Sequence, residues 1–285
     1  MKNNAGFRKI TTFTSIIINS KKLLMKKVTL FILSLMTLFI LLFMTMCSDT
    51  AIAPNNQLTE QEKKDGWILL FDGKSFDGWR PCNATEMPPD WVIEDGVMRV
   101  KPTSEKPAPV QVEGERPRRA PAVDILYGVK KFKNFELSID WKVGKGGNSG
   151  VFYYVVEVPG QPIYTAGIEV QILDNWNAGD NKLTNHLAGS LYDILPALPQ
   201  NAKPHTEWNT LVIRIKDGVA THTQNGVVVC EYTIWTPEWY ELVSKSKFKD
   251  WETFQEPNPA KEGYIGLQDH NDFGCWFRNI KIREL

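Results

Sequence analysis

Short runs of alternating apolar and polar residues, cut at near-regular intervals by tight-turn dipeptides, dominate this chain from Gly66 onward. Glu94-Asp95-Gly96, Lys216-Asp217-Gly218 and Gln224-Asn225-Gly226 each separate two such runs, and Asp-Gly or Asn-Gly between alternating segments is the strongest local hairpin signal. Phe135 to Trp141 alternates strictly, Leu211 to Ile215 alternates again, and Gly150 to Val156 is an unbroken apolar and aromatic run. The first two patterns predict half-buried strands and the third a fully buried one. About ten to thirteen strands with turns this frequent predict an all-β jelly-roll or sandwich architecture.

Two segments interrupt the pattern. Residues 101–122 are rich in Pro, Arg and Glu and read as a surface loop. Thr236-Pro237-Glu238 has a capping residue followed by Pro at the first helical position. That spacing predicts one short helical insertion running to about Lys247, with Trp239, Leu242 and Val243 against the sheet.

Upstream of the strands the chain has a different character. Lys21, Lys22, Lys26 and Lys27 precede a nearly all-apolar stretch from Val28 to Met46, the layout of a bacterial export signal. Residues 1–47 read as an export or lipoprotein-type segment, with Met25-Lys26-Lys27 as a start and residues 1–24 as an upstream extension. Cys47 stands where a lipid-acceptor cysteine would. Cleavage near Ala51-Ile52-Ala53 and a retained membrane anchor are the alternatives. Each places the domain outside the cytoplasm, in the periplasm or at the cell surface, touching the membrane only through the anchor or lipid. Residues 48–65 are polar without hydrophobic period and read as a linker, leaving residues 66–285 as one domain.

Lys plus Arg and Asp plus Glu are equal at 33 each, so no basic footprint points to nucleic acid. Beyond Cys47 the cysteines are Cys82, Cys230 and Cys275. Three cannot complete a disulfide framework, and none has metal-ligand spacing. A divalent cation such as Ca²⁺ held by oxygen ligands is compatible with the sequence, but no dense acidic spacing demands one. Ten tryptophans suit either a core or sugar stacking, and Trp79 and Trp91 are read as core.

One strand carries the chemistry. In Gly167-Ile168-Glu169-Val170-Gln171-Ile172-Leu173-Asp174-Asn175, Ile168, Val170 and Ile172 face a core. Glu169 and Gln171 then stand about 7 Å apart on the other face. A carboxylate beside a carboxamide can orient sugar hydroxyls or move a proton. A conventional glucanase needs two carboxylates there, and a carboxamide can be neither nucleophile nor general acid.

The ordered set Leu70-Phe71-Asp72-Gly73-Lys74 with Gly78-Trp79, then Gly147-Asn148-Ser149-Gly150-Val151-Phe152-Tyr153, the Glu169 strand, Gly189-Ser190-Leu191-Tyr192-Asp193, Glu207-Trp208-Asn209-Thr210, Asn225-Gly226-Val227 and Gly263 to Ile282 resembles the 3-keto-disaccharide hydrolase domain family. The resemblance spans Gly66 to Leu285 and departs from the usual compact turn at Asn271 to Cys275. It implies a concanavalin A-like jelly-roll sandwich, an oxidised sugar as substrate, and a functional link to a sugar 3-dehydrogenase.

A ketone at C3 acidifies the C2 hydrogen, so a base can start elimination of the C1 aglycone, and water then adds to the alkene. Glu169 is the expected base. His270 is the alternative base, or the acid for the leaving oxygen, since histidine titrates near neutrality. Gln171, Asn148 and Gln268 would orient hydroxyls. Arg278 would hold the ketone oxygen, or else be a structural arginine. Asp174, His186 and Tyr192 complete the substrate-binding candidates, each with a turn-forming or loop-packing alternative. A lectin-like, non-catalytic carbohydrate-binding module is the competing function, because fold does not fix activity.

Overall fold

The three turns set the hairpins. In a computed structural model, Asp95 and Gly96, Asp217 and Gly218, and Asn225 and Gly226 are all at positive φ, between 49° and 85°. Two successive left-handed residues give the turn whose twist matches that of paired strands. The structure describes residues 54–107, 122–255, 261–270 and 273–285. The export segment, Cys47, most of the 101–122 loop and the Asn271-Asp272 part of the divergent turn lie outside the described residues.

The result is the expected all-β, concanavalin A-like jelly-roll sandwich. One sheet has the order β11 (Val227–Thr233), β10 (Val219–Gln224), β9 (Asn209–Lys216), β6 (Phe135–Val143), β13 (Cys275–Glu284), β4 (Val97–Val100), β3 (Trp91–Glu94), and β1 (Ile68–Leu69) joins β13. The other sheet runs β2 (Trp79–Pro81), β5 (Ile125–Phe132), β12 (Gly263–Leu267), β7 (Asn148–Val155), β8 (Ile168–Leu173). All pairings are antiparallel.

Alternation builds the core between the sheets. Phe135, Leu137, Ile139, Trp141 and Val143 of β6 point inward and meet Val151 and Tyr153 of β7 and Ile168, Val170 and Ile172 of β8 in one buried cluster. Each such side chain contributes about 1.5–3 kcal/mol by leaving water. Trp79 and Trp91 belong to this core, their indole N–H groups donating to Leu70 O and Val123 O. Among the described residues Cys82, Cys230 and Cys275 form no disulfide, and the last two are buried.

Two expectations are corrected. The described part of the 48–65 linker does not hang free. Asn56 is buried and exchanges backbone–side-chain hydrogen bonds with Asn279. Helix α1 (Glu60–Lys64) carries a capping box between Thr59 and Glu62, and Glu62 pairs with Lys281. Polar side chains bonding backbone dock this stretch, which hydrophobic period cannot register.

The helical insertion is also shorter than expected. Helix α2 (Pro237–Ser244) is capped by Thr236 and buries Trp239 and Val243, but ends before Lys247. The Ser246 hydroxyl donates to Val243 O and accepts from Phe248 N–H, folding the chain out of the helix. A second short helix, α3 (Glu252–Gln255), follows.

Candidate active site

β8 was expected to show one apolar and one open polar face. Its apolar face enters the core as expected, but its polar face is also covered: Glu169 is 7 % exposed and Gln171 1 %. The segment Gly189 to Tyr192 lies along the free edge of β8. Gly189 N–H donates to Gln171 O, Gln171 N–H to Ser190 O, and Tyr192 N–H to Glu169 O. Aromatic side chains from two further loops close over this edge and leave a cavity of about 340 Å³.

The cavity floor collects the expected polar residues. Glu169 and Gln171 come from β8, Asn148 from the start of β7, and Gln268 and His270 from the chain leaving β12. Ser149 and Gly150 belong to the strand itself, and they hold the neighbouring chain. Ser149 Oγ donates to Gln268 O at 2.8 Å, and Gln268 N–H donates to Gly150 O at 3.0 Å. Gly150 pairs with Gln171. A Cβ there would come within 2.4 Å of Glu169 Oε1, so glycine at this position makes room for the carboxylate.

The walls are Tyr164, Tyr192, Phe248 and Trp251, with Lys247 among them. None but Tyr192 was expected. Tyr164 comes from a single helical turn, Ile163–Thr165, Tyr192 from the segment beside β8, and Lys247, Phe248 and Trp251 from the chain following α2. An aromatic column holds that chain down. Tyr232 stacks on Trp239, Trp239 on Phe254, and Phe254 on Phe248 at 4.3 Å between centroids.

Electrostatics singles out Glu169. Burial pushes its carboxyl up to about 8; Asp124 and Asp180 push the same way and Lys247 opposes them. Among the described residues no side chain or N–H donates a hydrogen bond to this carboxyl, so its proton-accepting capacity faces the cavity. Gln171 turns its carbonyl oxygen onto Ile172 N–H at 2.9 Å, which leaves its NH₂ as the recognition group. Among the described residues no group donates a hydrogen bond to the buried Gln268 Oε1. Burying such a group is unfavourable unless a ligand donates to it.

Behind the walls runs a chain of short hydrogen bonds. Tyr192 O–H donates to Asp180 Oδ2 (2.8 Å). Asp180 Oδ1 meets His186 Nδ1 (2.7 Å), His186 Nε2 meets Asp193 Oδ1 (2.6 Å), and Asp193 Oδ2 accepts Lys247 N–H (2.6 Å). Burial and the Asp180 bond both raise the Tyr192 phenol, keeping it a neutral donor.

Three substrate-binding candidates are therefore placed elsewhere. His186 touches the ring of Tyr192 (4.7 Å between centroids) without lining the cavity. Asp174 is a turn former. Burial opposes its ionisation, but N–H donors of Gly146, Asn177 and Trp176 hold its carboxyl below the usual range. Arg278 lies on the outer face of the other sheet, stacked 4.0 Å over Trp208 and 3.5 Å from Asp140. A bulge at Asn279, whose φ is +53°, puts Arg278 on the face opposite Ile280 and Ile282.

Asp124, just ahead of β5, escaped the sequence reading. It accepts Asp269 N–H at 2.9 Å, and burial lifts its carboxyl to about 7. Asp269 in turn pairs with the buried ammonium of Lys106. These bonds fix the Gln268 to His270 segment at the cavity edge. Among the described residues no group of three or more His, Cys, Asp or Glu is arranged to hold a metal ion.

Comparison with known proteins agrees with this architecture. Residues 66–283 match the family model described as the 3-keto-alpha-glucoside-1,2-lyase-like domain. A Bacteroides thetaiotaomicron protein named 3-keto-disaccharide hydrolase is 41 % identical over 240 residues, covering 78 % of this chain and 79 % of its own length. A solved structure of a candidate glycosyl hydrolase from Parabacteroides distasonis aligns with a TM-score of 0.68 at 30 % identity, covering 81 % of this chain and 100 % of the other. A second from the same organism aligns at 0.55 and 26 %, covering 77 % and 99 %.

Proposed function

This chain belongs to the 3-keto-alpha-glucoside-1,2-lyase-like domain family, and we propose that it is a glycoside-cleaving enzyme acting on 3-keto-disaccharides. The observation that carries the reading is the Glu169 carboxyl: buried, lifted to about 8, and directed into a cavity lined by amides and aromatic rings. A carboxyl so placed is a stronger base once ionised than one in water.

In the proposed reaction Glu169 takes the C2 proton. The electron pair of that bond moves into C2–C3 and places negative charge on the ketone oxygen. When the charge returns, the C1–O bond breaks and the aglycone oxygen receives a proton from His270 or from the protonated Glu169. Water then adds at C1 and a proton at C2, which makes the net change a hydrolysis. Gln171, Asn148 and Gln268 hold the sugar hydroxyls, and Trp251 and Phe248 offer apolar faces to the ring.

A two-carboxylate glycosidase mechanism is less well supported. Asp180 is engaged by His186 and Tyr192, and Asp124 by Asp269 N–H. Neither lines the cavity with Glu169. The reading also places the domain outside the cytoplasm, carried there by the Val28–Met46 segment and Cys47, where it would consume the product of a sugar 3-dehydrogenase.

The test is incubation of the purified protein with a 3-keto-disaccharide and with its unoxidised parent. Cleavage of the ketone alone is expected, and Glu169→Gln should lower it about 10²–10⁴-fold. Glycan binding with no cleavage of either sugar would instead favour a lectin-like module. Full activity in Glu169→Gln would remove the residue from the mechanism.

A further inference from the structure

Removing Arg278 from the site leaves the negative charge of the enolate without the cation expected for it. We propose that Lys247 is a further catalytic residue, whose ammonium stabilises the charge that develops on the substrate's ketone oxygen as the C2 proton leaves. This rests on the reading of the cavity as a proton-abstraction site.

Lys247 lines the same cavity as Glu169. Its Nζ lies 4.0 Å from the centre of the Tyr192 ring and 5.1 Å from that of Phe248. An aromatic face attracts an ammonium without neutralising it. Among the described residues Lys247 makes no ion pair, whereas Lys106 is neutralised by Asp90 and Asp269. Its charge is thus available to a ligand. Lys247 is exposed at the mouth of the cavity. A sugar entering would displace water from it, and the attraction to an oxyanion strengthens as the local dielectric falls.

The placement is specific as well as available. The Lys247 N–H is held by Asp193, whose other oxygen is held by His186, then Asp180, then the Tyr192 hydroxyl. On the other side the Ser246 hydroxyl accepts Phe248 N–H at 3.1 Å. The backbone beneath the ammonium and the ring beside it are therefore parts of one hydrogen-bonded unit. A lysine that served only solubility would need no such support.

The step balances without any further reactant. The C2 proton goes to Glu169, the C–H electron pair becomes the C2–C3 double bond and the oxyanion, and Lys247 remains an ammonium throughout. The same charge bears on Glu169 before substrate arrives. Lys247 from the turn after α2 favours the ionised carboxylate, while Asp124 ahead of β5 and Asp180 from the 174–192 loop disfavour it. Tyr164, Tyr192 and His270 are the other titratable groups lining the same cavity among the described residues.

The experiment compares wild type, Lys247→Met and Lys247→Arg on a 3-keto-disaccharide. It also follows the Glu169 carboxyl by ¹³C NMR titration of the ligand-free protein, with thermal melts as a folding check. Lys247→Met should lower kcat about 10²–10³-fold with KM changed only a few-fold. Arginine should restore part of the rate, and the Glu169 titration should move to higher pH in the Met variant. A kcat within about threefold of wild type, a loss confined to KM, or an unmoved Glu169 titration would overturn the assignment. Absence of turnover by wild type would overturn the reaction itself, and the role of Lys247 with it.

Discussion

Glu169 sits where its charged form is disfavoured, and this has a consequence for stability as well as for catalysis. Its carboxyl titrates near 4.5 when free and at about 8 in the fold. Between those values the folded protein keeps a proton that the unfolded chain releases, so the residue destabilises the fold progressively as pH rises from about 4.5 to about 8. Glu169→Gln should therefore be more stable than wild type at pH 9, by on the order of 3–5 kcal/mol. The gain should shrink toward zero near pH 4.5. Chemical unfolding of both proteins at the two pH values checks this, and a pH-independent difference would contradict it. The identity of Glu169 and Gln171 was readable because a strand's period of two puts them on one face. The rise of the carboxyl to about 8 was not readable, because it comes from burial under chain distant in sequence, the Phe248 region among it, and from Asp124 and Asp180, with Lys247 opposing them.

The element that completes the site is the segment from Trp235 to Gln255. Its helix, cap and proline at the first position were legible, since capping chemistry is local. That Lys247, Phe248 and Trp251 would form a cavity wall was not, since their approach depends on the stack from Tyr232 through Trp239 and Phe254. Trp239 is fully buried and its N–H donates to Phe254 O. Trp239→Ala should destabilise the protein by about 3–5 kcal/mol. It should also open residues 245–255 to limited proteolysis under conditions where the sheets stay protected from hydrogen exchange. Loss of protection in the sheets together with the segment would show that the wall and sandwich are one cooperative unit.

Across the whole molecule, polar knots outside the core tie distant parts of the chain. Asn56 bonds both N–H and side-chain oxygen to Asn279, and its amide donates to Gly96 O at 2.7 Å. Asn56→Ala should lower stability by about 1–3 kcal/mol, the penalty of leaving those partners unpaired. It should leave kcat on a 3-keto-disaccharide unchanged, because no cavity residue takes part in the knot; a fall in kcat would show coupling between the knot and the cavity. The amino-acid sequence by itself determined the all-β class, the hairpin positions, the inward faces of the strands and the floor of the site. Those follow from periodicity and turn stereochemistry, which act over a few residues. The tertiary structure alone decided that Arg278 faces outward, that His186 and Asp174 support rather than line the cavity, and that Lys247 and Trp251 face Glu169. A bulge of one residue reverses which face a side chain takes, and loops meet only after both sheets have packed, so neither outcome is encoded at short range.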